Sequence, residues 1–279
     1  MAVRQQDLPE TNGQKTPTMA ELADPHELYE ESVQCVEEEC EFITKTFKSI
    51  RGRDALSFRE DFCGTASAAC EWVRQSPEHT SIGVDFNSEV LAWGLENRVG
   101  RLDSEQKQRV TLIEENVLEV KTESVDVVGA FNFSYFIFQQ RELMKQYFRS
   151  IYAALKPDGM FFLDAFGGYE AFEEMKEKTK YDKFTYVWDQ KRYSPITGEM
   201  ECHIHFKFPD GSKLKRAFSY TWRLWTLPEI LEMLSETGFK NPTVYWEGTD
   251  EDGDGDGIFT PDAHGEADAG WIAYLVAEK

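Results

Sequence analysis

The stretch Arg59-Glu60-Asp61-Phe62-Cys63-Gly64-Thr65-Ala66, with Ser81-Ile82-Gly83-Val84-Asp85 further on, decides how the chain folds. The first segment reads as a strand that breaks into a tight turn of small residues and then a helix from Ser67 to Arg74. The second reads as a short apolar strand ending in a carboxylate. Strand, turn, helix, strand, acid is the order in which a parallel sheet brings backbone N–H groups close to a nucleotide-type ligand. The acid at the second strand end is placed to accept hydrogen bonds from both hydroxyls of a ribose.

Working outward, residues 1–23 are polar, carry Pro9, Gly13 and Pro17, and are expected to form a flexible leader. Residues 24–54 are expected to be a helix, because Val36, Cys40, Ile43 and Phe47 share one apolar face. On that reading Glu37-Glu38-Glu39 faces water, and Tyr29 either covers a bound ligand or simply packs.

Downstream, the core is expected over 55–166. Strands are read at 55–60, 81–85, 110–113, 125–133 and 160–166. A helix is read from about Gln139 to Leu155, where Leu143, Tyr147, Ile151 and Leu155 recur every fourth residue. The fourth strand is apolar throughout, as in strands buried on both faces. Lys156-Pro157-Asp158-Gly159 carries turn chemistry. This alternation predicts a parallel sheet with helices on both faces.

Over 167–225 the pattern changes to three aromatic-rich strands, 184–190, 201–208 and 214–225, joined by turn sequences that include Asp210-Gly211. This predicts a small antiparallel insertion whose aromatic residues are either sheet core or a substrate lid. The segment 226–279 opens with a T-x-x-E capping box at Thr226 and ends as a strand pair around an acidic loop, 249–269.

The chain has 279 residues, 51 acids and 30 Lys or Arg, for a net charge of −21. Residues 1–41 hold a net −9 and residues 250–268 a net −8, so the body between is close to balanced. With no basic stripe, direct nucleic-acid binding is not expected. No long apolar run or apolar leader stands out, so a cytoplasmic protein without membrane segments is expected. Five cysteines without a CxxC pair point to reduced thiols.

These features, in this order, resemble the class I S-adenosylmethionine-dependent methyltransferases. Glu60 to Ala66 looks like that family's acidic glycine-rich motif, D-x-G-C-G-T-G, with Phe62 and Ala66 in place of two glycines and Glu60 in place of the Asp. Asp85 matches the ribose-binding acid, and Asn116-Val117 the adenine-reading pair. Leu155-Lys156-Pro157-Asp158-Gly159 is similar to L-K-P-G-G, and Gly238-Phe239 to the end of A-G-F. The resemblance spans roughly residues 28–279. It implies an α/β, Rossmann-like, mostly parallel seven-stranded sheet, a methyltransferase activity and S-adenosylmethionine as cofactor.

Donor-binding residues on this reading are Tyr29, Arg59, Glu60, Asp61, Cys63, Gly64, Asp85, Phe86, Asn116, Val117 and Asn132. Glu60 or Asp61 accepts from the donor's amino group. Arg59 either pairs with the donor's carboxylate or forms an ordinary ion pair. Asn132 and Tyr135, just past the fourth strand, are expected beside the transferred methyl; Ser134 there either contributes or caps a helix. No Asn-Pro-Pro-Tyr stands at this place, which argues against nucleobase and glutamine-amide methylation.

The expected acceptor is a small molecule, with an amine nitrogen preferred. Two other readings remain at this stage: an NAD(P)-dependent oxidoreductase, from Gly64-x-Ala66-x-x-Ala69 with Asp85 beyond, and a non-catalytic cofactor-binding or acidic interaction module. His203 and His205 lack a third ligand of metal-site spacing. Asp250 to Gly257 imitates a calcium loop but lacks the glutamate that closes one.

Overall fold

The computed structural model describes residues 16–250 and 255–279. Most of the leader and part of the acidic loop, including half of the calcium-like run, therefore lie outside the described residues. The N-terminal region is three helices, α1 (Met19–Leu22), α2 (Pro25–Val33) and α3 (Val36–Arg51), where one was expected. Asp24 caps α2 by accepting from the N–H groups of His26 and Glu27, and Pro25 sits at the first helical turn, where its missing donor costs nothing.

The core follows as β1 (Ser57–Asp61), α4 (Ser67–Gln75), β2 (Thr80–Asp85), α5 (Ser88–Asn97), α6 (Ser104–Lys107), β3 (Val110–Glu114), β4 (Val125–Ala130), α7 (Arg141–Ala154) and β5 (Leu155–Gly167). Then come β6 (Met175–Lys180), β7 (Thr185–Tyr193), β8 (Glu199–Lys207) and β9 (Lys213–Arg223). The chain closes with α8 (Leu227–Glu236), β10 (Lys240–Thr249), β11 (Gly255–Pro261) and β12 (Trp271–Glu278).

Eight strands form one sheet in the order β11-β10-β12-β5-β4-β1-β2-β3. The five from β1 to β5 run parallel, and β12, β10 and β11 add antiparallel. The sheet is one strand wider than the seven expected because β11 forms within the acidic loop. Its glycines and aspartates carry no apolar alternation, so periodicity could not find it. The insertion likewise has four strands, β6-β7-β8-β9, rather than three. The missed strand, Met175-Lys176-Glu177-Lys178-Thr179-Lys180, is mostly charged.

Helices α3 and α4 pack on one face through Phe47, Phe58 and Trp72, and α7 and α8 on the other through Tyr147, Phe161 and Met233. The second cluster continues into the insertion through Cys202 and Trp222, which seats the small sheet beyond the carboxyl ends of the parallel strands. Open α/β sheets bind their ligands at those ends.

Candidate active site

Strand β1 points Glu60 to one face and Arg59 and Asp61 to the other, following the two-residue period of a strand. Arg59 is buried, and its Nε donates to Asp61 Oδ1 at 2.7 Å, while Tyr147 Oη donates to Asp61 Oδ2 at 3.0 Å. Burial pushes the Asp61 carboxyl up, against the lowering pull of Arg59. Arg59 is thus inside the protein rather than on the surface, and its buried Nη2 has no hydrogen-bond partner among the described residues. Cys63 is buried with its sulfur against Gly83, a packing role.

The turn after β1 keeps the backbone of a glycine-rich loop without its glycines. Phe62, Gly64 and Ala66 all have positive φ, at 57°, 51° and 62°. A non-glycine residue held there costs about 1–2 kcal/mol. A Cβ added at Gly64 would meet no atom within 4 Å, so the turn opens onto free space there. The Gly64 N–H donates to Asp85 Oδ2 at 2.9 Å, and Asn87 N–H donates to Asp85 Oδ1 at 2.9 Å. The open glycine and the β2 carboxylate thus form one polar rim. Phe86, beside Asp85, is 72% exposed. Past β3, Asn116 is exposed, with its Oδ1 accepting from Leu118 N–H, while Val117 is buried.

The N-terminal helices are buckled onto this rim by residues that sequence reasoning missed. Glu30 Oε1 accepts from Thr65 Oγ1 at 2.5 Å and from Ser67 Oγ at 2.6 Å, and Arg98 Nε donates to Glu30 Oε2 at 2.7 Å. Trp93 Nε1 donates to Asp24 Oδ2 at 2.7 Å. These bonds fix α2 so that Tyr29 reaches the insertion, where it packs on Phe218 with ring centroids 4.8 Å apart and hydrogen-bonds Tyr220.

One of the three consecutive glutamates expected to face water does not. Glu39 is 6% exposed and its carboxyl makes no hydrogen bond or ion pair among the described residues. Burial first, then the nearby Asp164 and Glu38 charges, pushes its carboxyl up to about 8. Burial, then Glu39, drives Glu60 well above the carboxylate range too. The helical face that places Cys40, Ile43 and Phe47 inside also brings Glu39 in. The run of three acids hid that offset.

The segment after β4 makes a second strained turn. Asn132 and Phe133 both sit at φ 56°, which ends the strand at Ala130 rather than at residue 133. Asp164 on β5 holds the turn: Oδ2 accepts from Asn132 N–H at 2.7 Å and Oδ1 from Phe133 N–H at 2.9 Å. Burial pushes the Asp164 carboxyl up to about 7, although those two N–H groups pull it down. Tyr135 does not stand at the cavity. It is fully buried and its hydroxyl donates to the Asp164 carbonyl at 2.6 Å. Ser134 donates its hydroxyl to Phe131 O at 2.9 Å.

Asn132 and Tyr29 lie on the wall of a cavity of about 490 Å³ between the strand ends and the insertion. Trp188, Tyr220 and Trp222 line it from the small sheet, with Tyr220 and Trp222 stacked at 4.4 Å, and Phe166 and Trp271 from the large one. Three carboxylates, Glu170, Glu177 and Glu247, share the wall, and among the described residues no Lys, Arg or His does. His203 instead bonds Ser219 and Glu201, and His205 bonds Asp189. Among the described residues, no group of three or more His, Cys, Asp or Glu is placed to hold a metal ion. No described helix is long and apolar enough to cross a membrane.

The comparisons agree with this architecture. Residues 63–161 match the family model described as a methyltransferase domain. No curated protein matches the sequence. Among solved structures, the chain is similar to an S-adenosylmethionine-dependent methyltransferase from Clostridium acetobutylicum (13% identity, 91% of this chain and 96% of that one, TM-score 0.68). It is also similar to CalS10, an amino pentose methyltransferase from Micromonospora echinaspora (14%, 91% and 95%, 0.64). A third is KedS8, a sugar N-methyltransferase from Streptoalloteichus (15%, 100% and 98%, 0.60).

Fold and domain match agree: the chain has the fold of the class I S-adenosylmethionine-dependent methyltransferases, and residues 63–161 match the methyltransferase domain model. The oxidoreductase reading has no second mononucleotide half to stand on, because every strand added beyond β5 is antiparallel.

Proposed function

We propose that the chain transfers a methyl group from S-adenosylmethionine to an amine nitrogen of a small molecule. The donor supplies an electrophilic methyl on a sulfonium centre, so the protein has to bind, orient and desolvate the reacting atoms. The residues present fit such a donor. Gly64 leaves open space for close approach, Asp85 offers carboxylate oxygens for a ribose, and Glu39 and Glu60 are buried carboxylates without a cationic partner. Asn132 and Tyr29 stand on the acceptor side.

The observation that carries the amine is the cavity wall, which combines aromatic rings with three carboxylates and has no cationic side chain among the described residues. Ring faces and carboxylates both favour a cation. A wall carboxylate can also accept the proton an ammonium must lose before its nitrogen attacks. Two of the similar structures, an amino pentose methyltransferase and a sugar N-methyltransferase, support the same reading.

The test is calorimetric titration with S-adenosylhomocysteine, NAD and NADP, followed by a mass-spectrometric screen of amines, alcohols and carboxylic acids for methyl transfer. Micromolar binding of the thioether that Asp85→Ala abolishes, with transfer to amines, is expected. Binding of a nicotinamide dinucleotide alone would sink the donor assignment, and transfer only to oxygen would sink the amine.

A further inference from the structure

The four-stranded sheet has two faces of opposite chemistry. The inner face gives its rings to the acceptor cavity. The outer face surrounds a second cavity, of about 330 Å³, with Lys176, Lys191, Lys207, Lys213, Lys215 and Arg216. Only Lys176 is ion-paired, its Nζ lying 2.7 Å from Asp189 Oδ2. The other five cations make no ion pair among the described residues. In a chain with 51 acidic and 30 basic residues, five unpaired cations around one concavity run against the composition.

Two features show that this cavity is built. Lys207 and Lys213 are direct partners across β8 and β9, an arrangement of like charges that destabilises a strand pair unless an anion lies between them. Arg216 sits at φ 51° in β9, beside a register shift opposite Ile204 to Phe206. Such bulges re-aim side chains, often next to functional sites. The bulge is locked from within the cavity wall. Arg216 N–H donates to His205 Nδ1 at 2.8 Å, so His205 carries its proton on Nε2 and donates it to the buried Asp189 at 3.1 Å.

We propose that the outer cavity binds a small multivalent phosphate ligand of the diphosphate class. The volume suits a small molecule. The cations converge on one concavity that Val187, Asp189, His205 and Phe206 also line. It is therefore a pocket and not the extended stripe that a nucleic acid or membrane surface requires. A ligand there lies behind the acceptor cavity and does not compete with the acceptor.

The experiment is titration of the full chain with inorganic pyrophosphate at low salt, with sulfate at matched ionic strength beside it. A dissociation constant below about 1 mM that weakens steeply with added salt is expected. The doubly substituted Lys213→Gln/Lys215→Gln, both exposed positions, should bind at least tenfold more weakly with its melting temperature unchanged. Lys191→Gln, exposed on a different strand, gives the same reading if the double variant misfolds. The proposal falls if pyrophosphate binds no better than sulfate or if both variants keep wild-type affinity. Tighter, lysine-dependent binding of duplex RNA or anionic vesicles would also overturn it, by assigning the face to a macromolecule.

Discussion

The turns after β1 and β4 both force non-glycine residues into left-handed backbone, and they hold that conformation by different means. Phe62 and Ala66 flank Gly64, whose N–H meets Asp85, while Glu30 clamps Thr65 and Ser67 from another helix. Asn132 and Phe133 have no glycine between them and rest on one carboxylate, Asp164. The first turn spreads its restraint over several bonds and leaves open space at the glycine. The second, whose residues line the cavity, concentrates it on one titratable group. The first is therefore sensitive to added volume, and the second to the chemistry of a single side chain.

The largest effect should follow from Gly64→Ala. Its methyl would project into the open space, and alanine at φ 51° costs about 1–2 kcal/mol. Donor affinity should fall about 100-fold or more by calorimetry, with a drop in melting temperature of about 2–4 °C per kcal/mol of strain. Affinity within threefold of wild type would mean that the open glycine does not receive the donor.

The difference between the two turns also explains what the sequence made legible. Glu60 to Ala66, Asp85, the capping box at Thr226 and the alternation up to β5 are local signals, and they set the sheet order and the donor side. Glu39, Glu30 and Asp164 were not legible, because their roles depend on partners far away in the chain. Thr65 lies 35 residues from Glu30, and Asn132 lies 32 residues from Asp164. Tyr135 was misjudged for the same reason: its place after a strand end suggests a cavity, while its buried partner is a carbonyl on β5. The aromatics of the small sheet were visible, but their alternation is the same whether they line a cavity or fill a core.

An intermediate effect is expected for Asp164→Asn, which keeps the shape but loses one acceptor at the strained turn. The turnover number should fall about tenfold while the dissociation constant of S-adenosylhomocysteine stays within about twofold. That split separates the turn from the donor rim. Equal losses in both would show that the two turns act as one unit.

The smallest effect is a pH dependence of the cofactor-free protein. Burial pushes Glu39 up to about 8 and Asp164 up to about 7, above the ordinary carboxylate values near 4 that the unfolded chain restores. Between those limits the folded state binds more protons, so its stability should fall as pH rises from about 5 to 8. Each carboxylate contributes a slope of at most about 1.4 kcal/mol per pH unit. Glu38, Glu60, Asp164 and the Tyr29 and Tyr274 hydroxyls surround Glu39 electrostatically, and none is a cation. A positively charged donor would favour the ionised forms, so its binding should release protons and tighten as pH approaches 8. Melting curves from pH 5.5 to 8.5, with and without S-adenosylmethionine, read both trends. Glu39→Gln should flatten the slope of the cofactor-free protein and reduce proton release. An unchanged slope in that variant would place the titration elsewhere, and a rise in stability with pH would reverse the sign of the argument.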